Sequence, residues 1–321
     1  MNLKELLPTY NSLEKPTEFD YKFTIFTPVY NRADTIHRVF NSLERQTFKD
    51  FELLIINDGS KDNSHEVIQE LISKSKLNIR YVNNETNRHK MACIVQGINL
   101  AKGEFFLPLD SDDECVENAL EVFLKIYNNI PLEKQSYISG VTCLCVDQHG
   151  NLIDEKFKET PFYSSSFENR LNELSLEEKW GFVKTDILKG VYINPEVFSK
   201  GYIPEGIIWN LLSKHQFKTV FTNDIQRIYY LDTGNRISNQ NHKNDAFGMA
   251  VFSLCILNWF YKDYFWKNPK VFLIRVYSLI RAAIFLDFKR QDYIKALDSK
   301  KIKLLVNLCW PFKKMFFKII G

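Results

Sequence analysis

Between Phe23 and Asp110 short apolar runs alternate with stretches of helical period, and that alternation leaves few folds open. Phe23–Thr27, Phe51–Ile56, Ile79–Val82 and the run from Gly103 into Asp110 read as strands. Ala33–Arg45 (apolar at Ile36, Val39, Phe40 and Leu43), Asn63–Ser73 and Lys90–Ala101 read as the helices between them. Strands separated by helices of this length cannot close as hairpins, so the expected product is a parallel sheet covered by its crossover helices. Ligands of such sheets bind beyond the carboxyl ends of the strands. Here those ends carry Thr27–Arg32, Asn57–Ser60 and Asp110–Asp113, three polar segments expected on one rim.

The last of these places Asp110, Asp112 and Asp113 within four positions at the end of an apolar run. Alternate residues leave a strand on the same face, so Asp110 and Asp112 are expected to point together. Two carboxylates so placed suit a divalent cation, a hard ion that prefers oxygen ligands. An acidic turn or helix cap would explain three acids alone. The two further polar segments converging on the same edge favour a site.

Beyond Asp113 the pattern predicts a helix over Val116–Asn128, a strand over Tyr137–Val146 and a turn at Asp147–Asn151. A helix over Phe167–Leu176 follows, then the short aromatic run Trp180–Lys184, expected to approach the site. Tyr202–Gly206 opens a helix through Lys214, Gln226–Tyr230 is the final strand, and Asp232–Asn244 is a polar loop. From Asp245 the chain turns helical, aromatic and basic. The expected division is a lead-in over 1–20, one α/β domain over 21–244 and a helical region over 245–321.

Charge is distributed unevenly. From Lys262 to Gly321 there are fourteen lysines and arginines and only four aspartates, although the whole chain carries a net charge of just +3. Such a tail points to an anionic surface, and its interleaved aromatics suit either helices packed against one another or a bilayer face, better than nucleic acid, for which no recognition motif is present. The longest uncharged stretch, Ala246–Tyr261, is too short for a clean span. Six cysteines without C-x-x-C spacing indicate buried thiols in a reducing compartment, and the polar start Met1–Asp20 does not read as a secretory signal. The expected location is the cytoplasm, either free or peripheral on the cytoplasmic face of the membrane.

Five motifs follow one another along the chain: Thr27-Pro28-Val29-Tyr30-Asn31-Arg32, Gln46-Thr47-Phe48-Lys49-Asp50-Phe51-Glu52-Leu53, Asn57-Asp58-Gly59-Ser60, Ala101-Lys102-Gly103-Glu104 and Leu109-Asp110-Ser111-Asp112-Asp113. Together they resemble the family 2 glycosyltransferases of the GT-A fold. The resemblance implies a Rossmann-like, mostly parallel sheet flanked by helices, here with a C-terminal helical, basic-aromatic extension. It further implies a nucleotide-sugar donor, commonly a UDP-sugar, a Mg2+ or Mn2+ ion, and inversion at the anomeric carbon. Carried over by position, Pro28, Val29 and Tyr30 would lie beside the nucleoside, with Arg32 and Lys90 as basic neighbours of the nucleotide. Asp58 would accept a hydrogen bond from the base, Asp110 would face the ribose or the metal, and Asp112 would hold the metal against the diphosphate. Two departures stand out: Asn57 where many relatives have an acid, and Met91 and Val95 where relatives often have His and Asn.

The transfer needs charge stabilisation on the leaving diphosphate and removal of the acceptor's proton. Glu205, in Ile203-Pro204-Glu205-Gly206-Ile207, resembles the family's general base, with Asp186 as its rival. Arg236 and His242 are candidates for a diphosphate contact or a third metal ligand. Asp113 is expected to cap the following helix, with a secondary part in orienting the site. The acceptor is expected to be a saccharide or a lipid-linked hydroxyl compound. Two other classes are a nucleotide-sugar-forming nucleotidyltransferase, which predicts a Gly-rich basic loop where this chain has Val29-Tyr30-Asn31-Arg32, and a non-catalytic glycan- or membrane-binding relic of the fold.

Overall fold

The structure, a computed structural model, describes residues 2–13, 18–172, 178–231 and 242–313. They divide into two compact units, one drawn from 11–190 and 216–234, the other from 1–10, 191–215 and 235–321. These units cut across the division expected from the sequence, because residues 191–215 group with the C-terminal helices and not with the α/β domain.

Strands are numbered along the chain: β1 Thr9–Tyr10, β2 Tyr21–Val29, β3 Phe51–Asp58, β4 Ile79–Asn84, β5 Gly103–Pro108, β6 Glu114–Cys115, β7 Ile138–Asp147, β8 Phe162–Ser164, β9 Lys179–Lys184, β10 Val191–Tyr192 and β11 Lys218–Tyr229. In the first unit nine of them form one sheet in the order β4-β3-β2-β5-β9-β7-β11-β6, with β8 paired to β11. The half before Asp110 is parallel throughout, β2 lying between β3 and β5. Every residue of β3 is buried, as a strand covered on both faces requires. The second half is mixed: β9 runs antiparallel to both β5 and β7, while β11 is parallel to β7.

Phenylalanines bind the two halves. Phe182 of β9 lies 4.3 Å from the Phe105 ring of β5 and 5.8 Å from that of Phe23 in β2, with Phe123 packed edge-on at 5.5 Å. Fully burying each such ring stabilises the fold by roughly 1.5–3 kcal/mol, so this cluster holds the parallel half against the mixed one.

Several elements differ from expectation for local reasons. The helix expected from Ala33 begins at His37, because the backbone before it is held by loop side chains. A two-residue strand, β6, pairs with β11 between Asp113 and the next helix, which therefore starts at Ala119 and not Val116. β11 is longer than Gln226–Tyr230, since Thr219–Phe221 also pair with β7 and β8. The helix expected over Phe167–Leu176 is Ser166–Asn172 as far as the described residues go.

In the second unit β1 pairs antiparallel with β10. Helices Gly206–Lys214, His242–Trp259, Pro269–Ala282, Arg290–Ala296 and Lys300–Cys309 make up most of the rest. Ala250, Leu254 and Cys255 of the long helix are fully buried. Among the described residues no helix is long and apolar enough to cross a membrane.

Candidate active site

Adjacent parallel strands end side by side, and in the first unit their loops are latched to one another. The Asn31 amide N–H donates to Ser60 Oγ (2.9 Å), Lys61 N–H returns a bond to Asn31 Oδ1 (2.7 Å), and Arg32 N–H donates to Ser64 Oγ (2.8 Å). Asn31 adopts a left-handed backbone (φ 52°), which an asparagine tolerates better than most residues. Gly59 is also left-handed (φ 66°), and a Cβ there would lie 2.6 Å from the Thr86 carbonyl carbon, so only glycine lets the two loops pass. Toward the third loop, Thr35 Oγ1 donates to the Ser111 carbonyl (3.1 Å) and Arg38 Nη1 to that of Asp112 (2.9 Å). Thr27–Arg32, Asn57–Ser60 and Asp110–Asp113 thus share one rim.

The three aspartates lie in a turn past the end of β5, closed by Asp113 N–H donating to the Asp110 carbonyl (3.1 Å). Their directions therefore come from partners and not from strand alternation, which corrects the expectation for Asp110 and Asp112. At the centre is Arg227 of β11, its side chain 4% exposed. Its Nε donates to Asp113 Oδ2 (2.9 Å) and its Nη2 to both Asp113 and Asp110, the latter at 3.0 Å. Its Nη1 reaches Glu178 Oε1 at 3.2 Å. Asp110 receives a second cation, Lys90 Nζ at 2.7 Å from Oδ1. Asp112 faces Arg32, whose Nε is 3.5 Å from Oδ2.

The acids respond differently. Burial would raise the Asp110 pKa, but Lys90 and Arg227 outweigh it and hold the carboxyl well below its ordinary value. Burial pushes Asp113 up to about 7 against the pull of Arg227, with Asp110 and Asp112 adding to the rise. Burial would lower the Arg227 pKa, yet Asp113 and Asp110 raise it well above the usual guanidinium value.

Asp113 does not cap a helix. It is 1% exposed, and its Oδ1 accepts the Tyr230 N–H at 2.9 Å while Oδ2 holds Arg227. Asp58 is also buried, accepting from Arg88 N–H (2.9 Å) and Asn84 Nδ2 (3.2 Å), so its carboxylate fastens the 84–88 loop to the end of β3. The departure at Asn57 has its own partners: Nδ2 donates to Asn83 Oδ1 (2.8 Å) and Oδ1 accepts from Ser60 Oγ (2.5 Å). Val29 packs into the core, whereas Tyr30 is exposed and Pro28 is partly so. Of the run Trp180–Lys184 only Trp180 comes to the end of β5, donating Nε1–H to the Pro108 carbonyl (2.5 Å), whereas Lys184 pairs with Phe105 nearer the start of that strand.

Asp186 lies at the wrong end of the sheet. Its neighbour Thr185 donates Oγ1–H to the Gly103 carbonyl (2.6 Å) at the start of β5. A strand rises about 3.3 Å per residue, so the length of β5 separates Asp186 from the acidic turn. Glu205 belongs to the second unit, directly before the helix Gly206–Lys214. Arg236 lies outside the described residues, and His242 begins the helix His242–Trp259. Arg227 and Glu178 were missed by sequence reading. The available signal was an arginine inside the apolar strand Ile225–Tyr229, where a buried charge demands partners.

The aspartates can be tested against a divalent cation. Both Asp110 oxygens already face positive groups, so Asp110 is a poor ligand as arranged. Asp112 is the acid of the turn least engaged by cations. No group of three or more His, Cys, Asp or Glu side chains among the described residues makes a cage for a metal. This set fits an ion held through one carboxylate and completed by a ligand's phosphate oxygens, a coordination that Mg2+ commonly adopts.

Comparison with known proteins bears on the family and the fold. Residues 24–133 match the family described as glycosyl transferase family 2. The GalNAc(5)-diNAcBac-PP-undecaprenol beta-1,3-glucosyltransferase of Campylobacter jejuni is 31% identical over 139 residues, which are 42% of this chain and 41% of that protein. The chain spans well under two thirds of the first curated relatives it matches, 41%, 21% and 15% of their lengths. Among solved structures, S. aureus TarS 1-349 in complex with UDP-GlcNAc superposes with a TM-score of 0.60 at 19% identity, covering 92% of this chain and 87% of that one. The mannosyltransferase PcManGT of Pyrobaculum calidifontis, in complex with GDP-Man and Mn2+, superposes at 0.50 with 13% identity over 96% and 86% of the two chains. The fold is GT-A, with a helical C-terminal region.

Proposed function

We propose, from the match of residues 24–133 to glycosyl transferase family 2, that this protein transfers a sugar, with inversion, from a UDP-sugar to a hydroxyl of a saccharide or lipid-linked acceptor. The observation that carries this reading is the acidic turn Asp110–Asp113, bonded to the loop after β2 and held by Lys90 and Arg227. A nucleotidyl-type phosphate loop finds no support in Val29-Tyr30-Asn31-Arg32, whose backbone is committed to Ser60 and Ser64.

In this reading Pro28 and Tyr30 border the nucleoside, and Asp58 keeps the β3 and β4 loops in register beneath it. Asp112 would hold a Mg2+ or Mn2+ ion, which when bound supplies Lewis-acid stabilisation of the leaving diphosphate. Lys90 adds a positive charge beside the same group, and Asp110 orients that lysine. Arg227 fixes the turn from below through Asp113, so that Asp112 meets the donor without rearrangement, as electrostatic preorganisation requires. From its place in the sequence Glu205 is assigned as the base that takes the acceptor's proton. TarS binding UDP-GlcNAc, and the undecaprenol-linked chemistry in the name of the Campylobacter relative, support the donor and acceptor classes. Both fit work on the cytoplasmic side of a membrane.

The test is a screen of UDP- and GDP-sugars, following nucleoside diphosphate release with Mn2+ and with EDTA. Release from a UDP-sugar that needs the metal and is lost in Asp112→Ala is expected, with thermal stability retained. Full turnover in EDTA would reject the metal role, and turnover in Glu205→Gln equal to the parent would reject that base.

A further inference from the structure

The helix Lys300–Cys309 presents two opposed faces. Ile302 and Val306 are buried at 2% and 0% exposure, and they attach the helix to its own unit. On the other side Leu304, Leu308 and Phe312 stand 60%, 62% and 54% exposed. Their spacing of four puts them in one row along the helix and the short turn Trp310–Phe312 that follows it. Single exposed leucines are ordinary, but a continuous row is not. Lys300 and Lys301 are exposed at one end, with Lys303 and Lys313 half-exposed beside the row. No Asp or Glu follows Asp298 in the sequence, and Asp298 is itself paired with Lys4 at 2.7 Å.

We propose that this face is a docking surface for an anionic lipid bilayer. Ten residues at 1.5 Å each make a helix of about 15 Å, half of what would cross the hydrocarbon, so it lies in the plane of the interface. Leu304, Leu308 and Phe312 enter the acyl boundary while the lysines meet lipid phosphates, as amphipathic interfacial helices do. Charge decides the occupant. A second copy of this chain seated by two-fold symmetry would bring these lysines against their own counterparts, a repulsive arrangement. An anionic bilayer complements both the apolar row and its rim. Trp310 is not free to join the row, since its ring packs on buried Tyr293 at 5.4 Å.

This inference is independent of the reaction proposed above, and its test needs no turnover. The full chain is mixed with vesicles of phosphatidylcholine alone, or of phosphatidylcholine with phosphatidylglycerol, and the bound fraction is read by flotation. Binding to the anionic vesicles only is expected. The double variant Leu304→Ser, Leu308→Ser should weaken it by about ten-fold or more, since each leucine contributes apolar burial. The variant Lys300→Glu, Lys301→Glu should also weaken it while leaving the far-ultraviolet circular dichroism and melting temperature unchanged. Undiminished binding by both variants, or no binding by the parent, would overturn the proposal. So would a concentration-dependent dimer in light scattering that the leucine variant abolishes, which would assign the face to a second copy.

Discussion

The two ends of the central sheet both bury acids against arginine, and only one of them carries the proposed site. At the amino end Glu52 is 1% exposed. It accepts from Thr24 Oγ1 (2.6 Å) and Lys102 N–H (2.8 Å), and Arg80 Nε lies 2.8 Å away as an ion pair. One carboxylate meets one guanidinium, through an ion pair between Oε2 and Nε with no hydrogen bond at either atom. At the carboxyl end three aspartates in four positions meet Arg227, Lys90 and, more loosely, Arg32. Arg227 serves Asp110, Asp113 and Glu178 at once. The difference teaches that a buried ion pair by itself marks structure. Function is indicated where acids are concentrated at a strand end with one of them less tightly held.

Substitutions can break that comparison at either end. The largest effect is expected from Arg227→Met, which strands Asp113 in the interior. Stability should fall by about 3–5 kcal/mol in a denaturant titration, and Arg227→Lys should recover part of it. If Arg227→Met were as stable as the parent, the clamp would contribute nothing to the fold. Next, Asp112→Ala should lower turnover about a hundred- to thousand-fold, the loss typical of one transition-state charge stabiliser, with an unchanged melting curve. Mn2+ affinity in the presence of UDP, read by electron paramagnetic resonance, should fall in parallel.

At the amino end Arg80→Met should cost about 2 kcal/mol, because Glu52 keeps its bonds to Thr24 and Lys102, and kcat should not change. A large loss of kcat there would erase the distinction between the two rims. Lys90→Ala should raise the KM for the donor by about ten-fold, the value of one charge-assisted hydrogen bond, with a smaller change in kcat. The smallest effect is expected from Asp186→Asn, which should leave turnover unchanged and stability within about 0.5 kcal/mol. A strong loss of activity in that variant would contradict its position at the start of β5.

Much of the fold could be read from the chain because its causes are local. The strand–helix alternation from Phe23 to Asp110, and with it the order of the polar segments, follows from hydrophobic period, which neighbouring residues set for one another. What was misread depended on distant partners. Asp113 has the sequence of a helix cap, but β6 intervenes and Arg227, over a hundred residues on, claims its carboxylate. Asp186 looks like Glu205 in sequence, an acid opening a helix. The antiparallel path of β9 carries Asp186 back to the amino end of the sheet, and nothing near Asp186 encodes that direction.

The residues themselves determined the parallel half of the sheet, the three polar segments at its edge, the family of residues 24–133 and the basic, aromatic character of the C-terminal region. Only tertiary structure decided which aspartate is engaged by which cation, that Asp58 is occupied by its own loop, and that Leu304, Leu308 and Phe312 face outward together. The reason is physical. Periodicity and turn chemistry act over a few residues, whereas the state of a carboxylate or an apolar row is set by whatever the folded chain brings within a few ångströms of it.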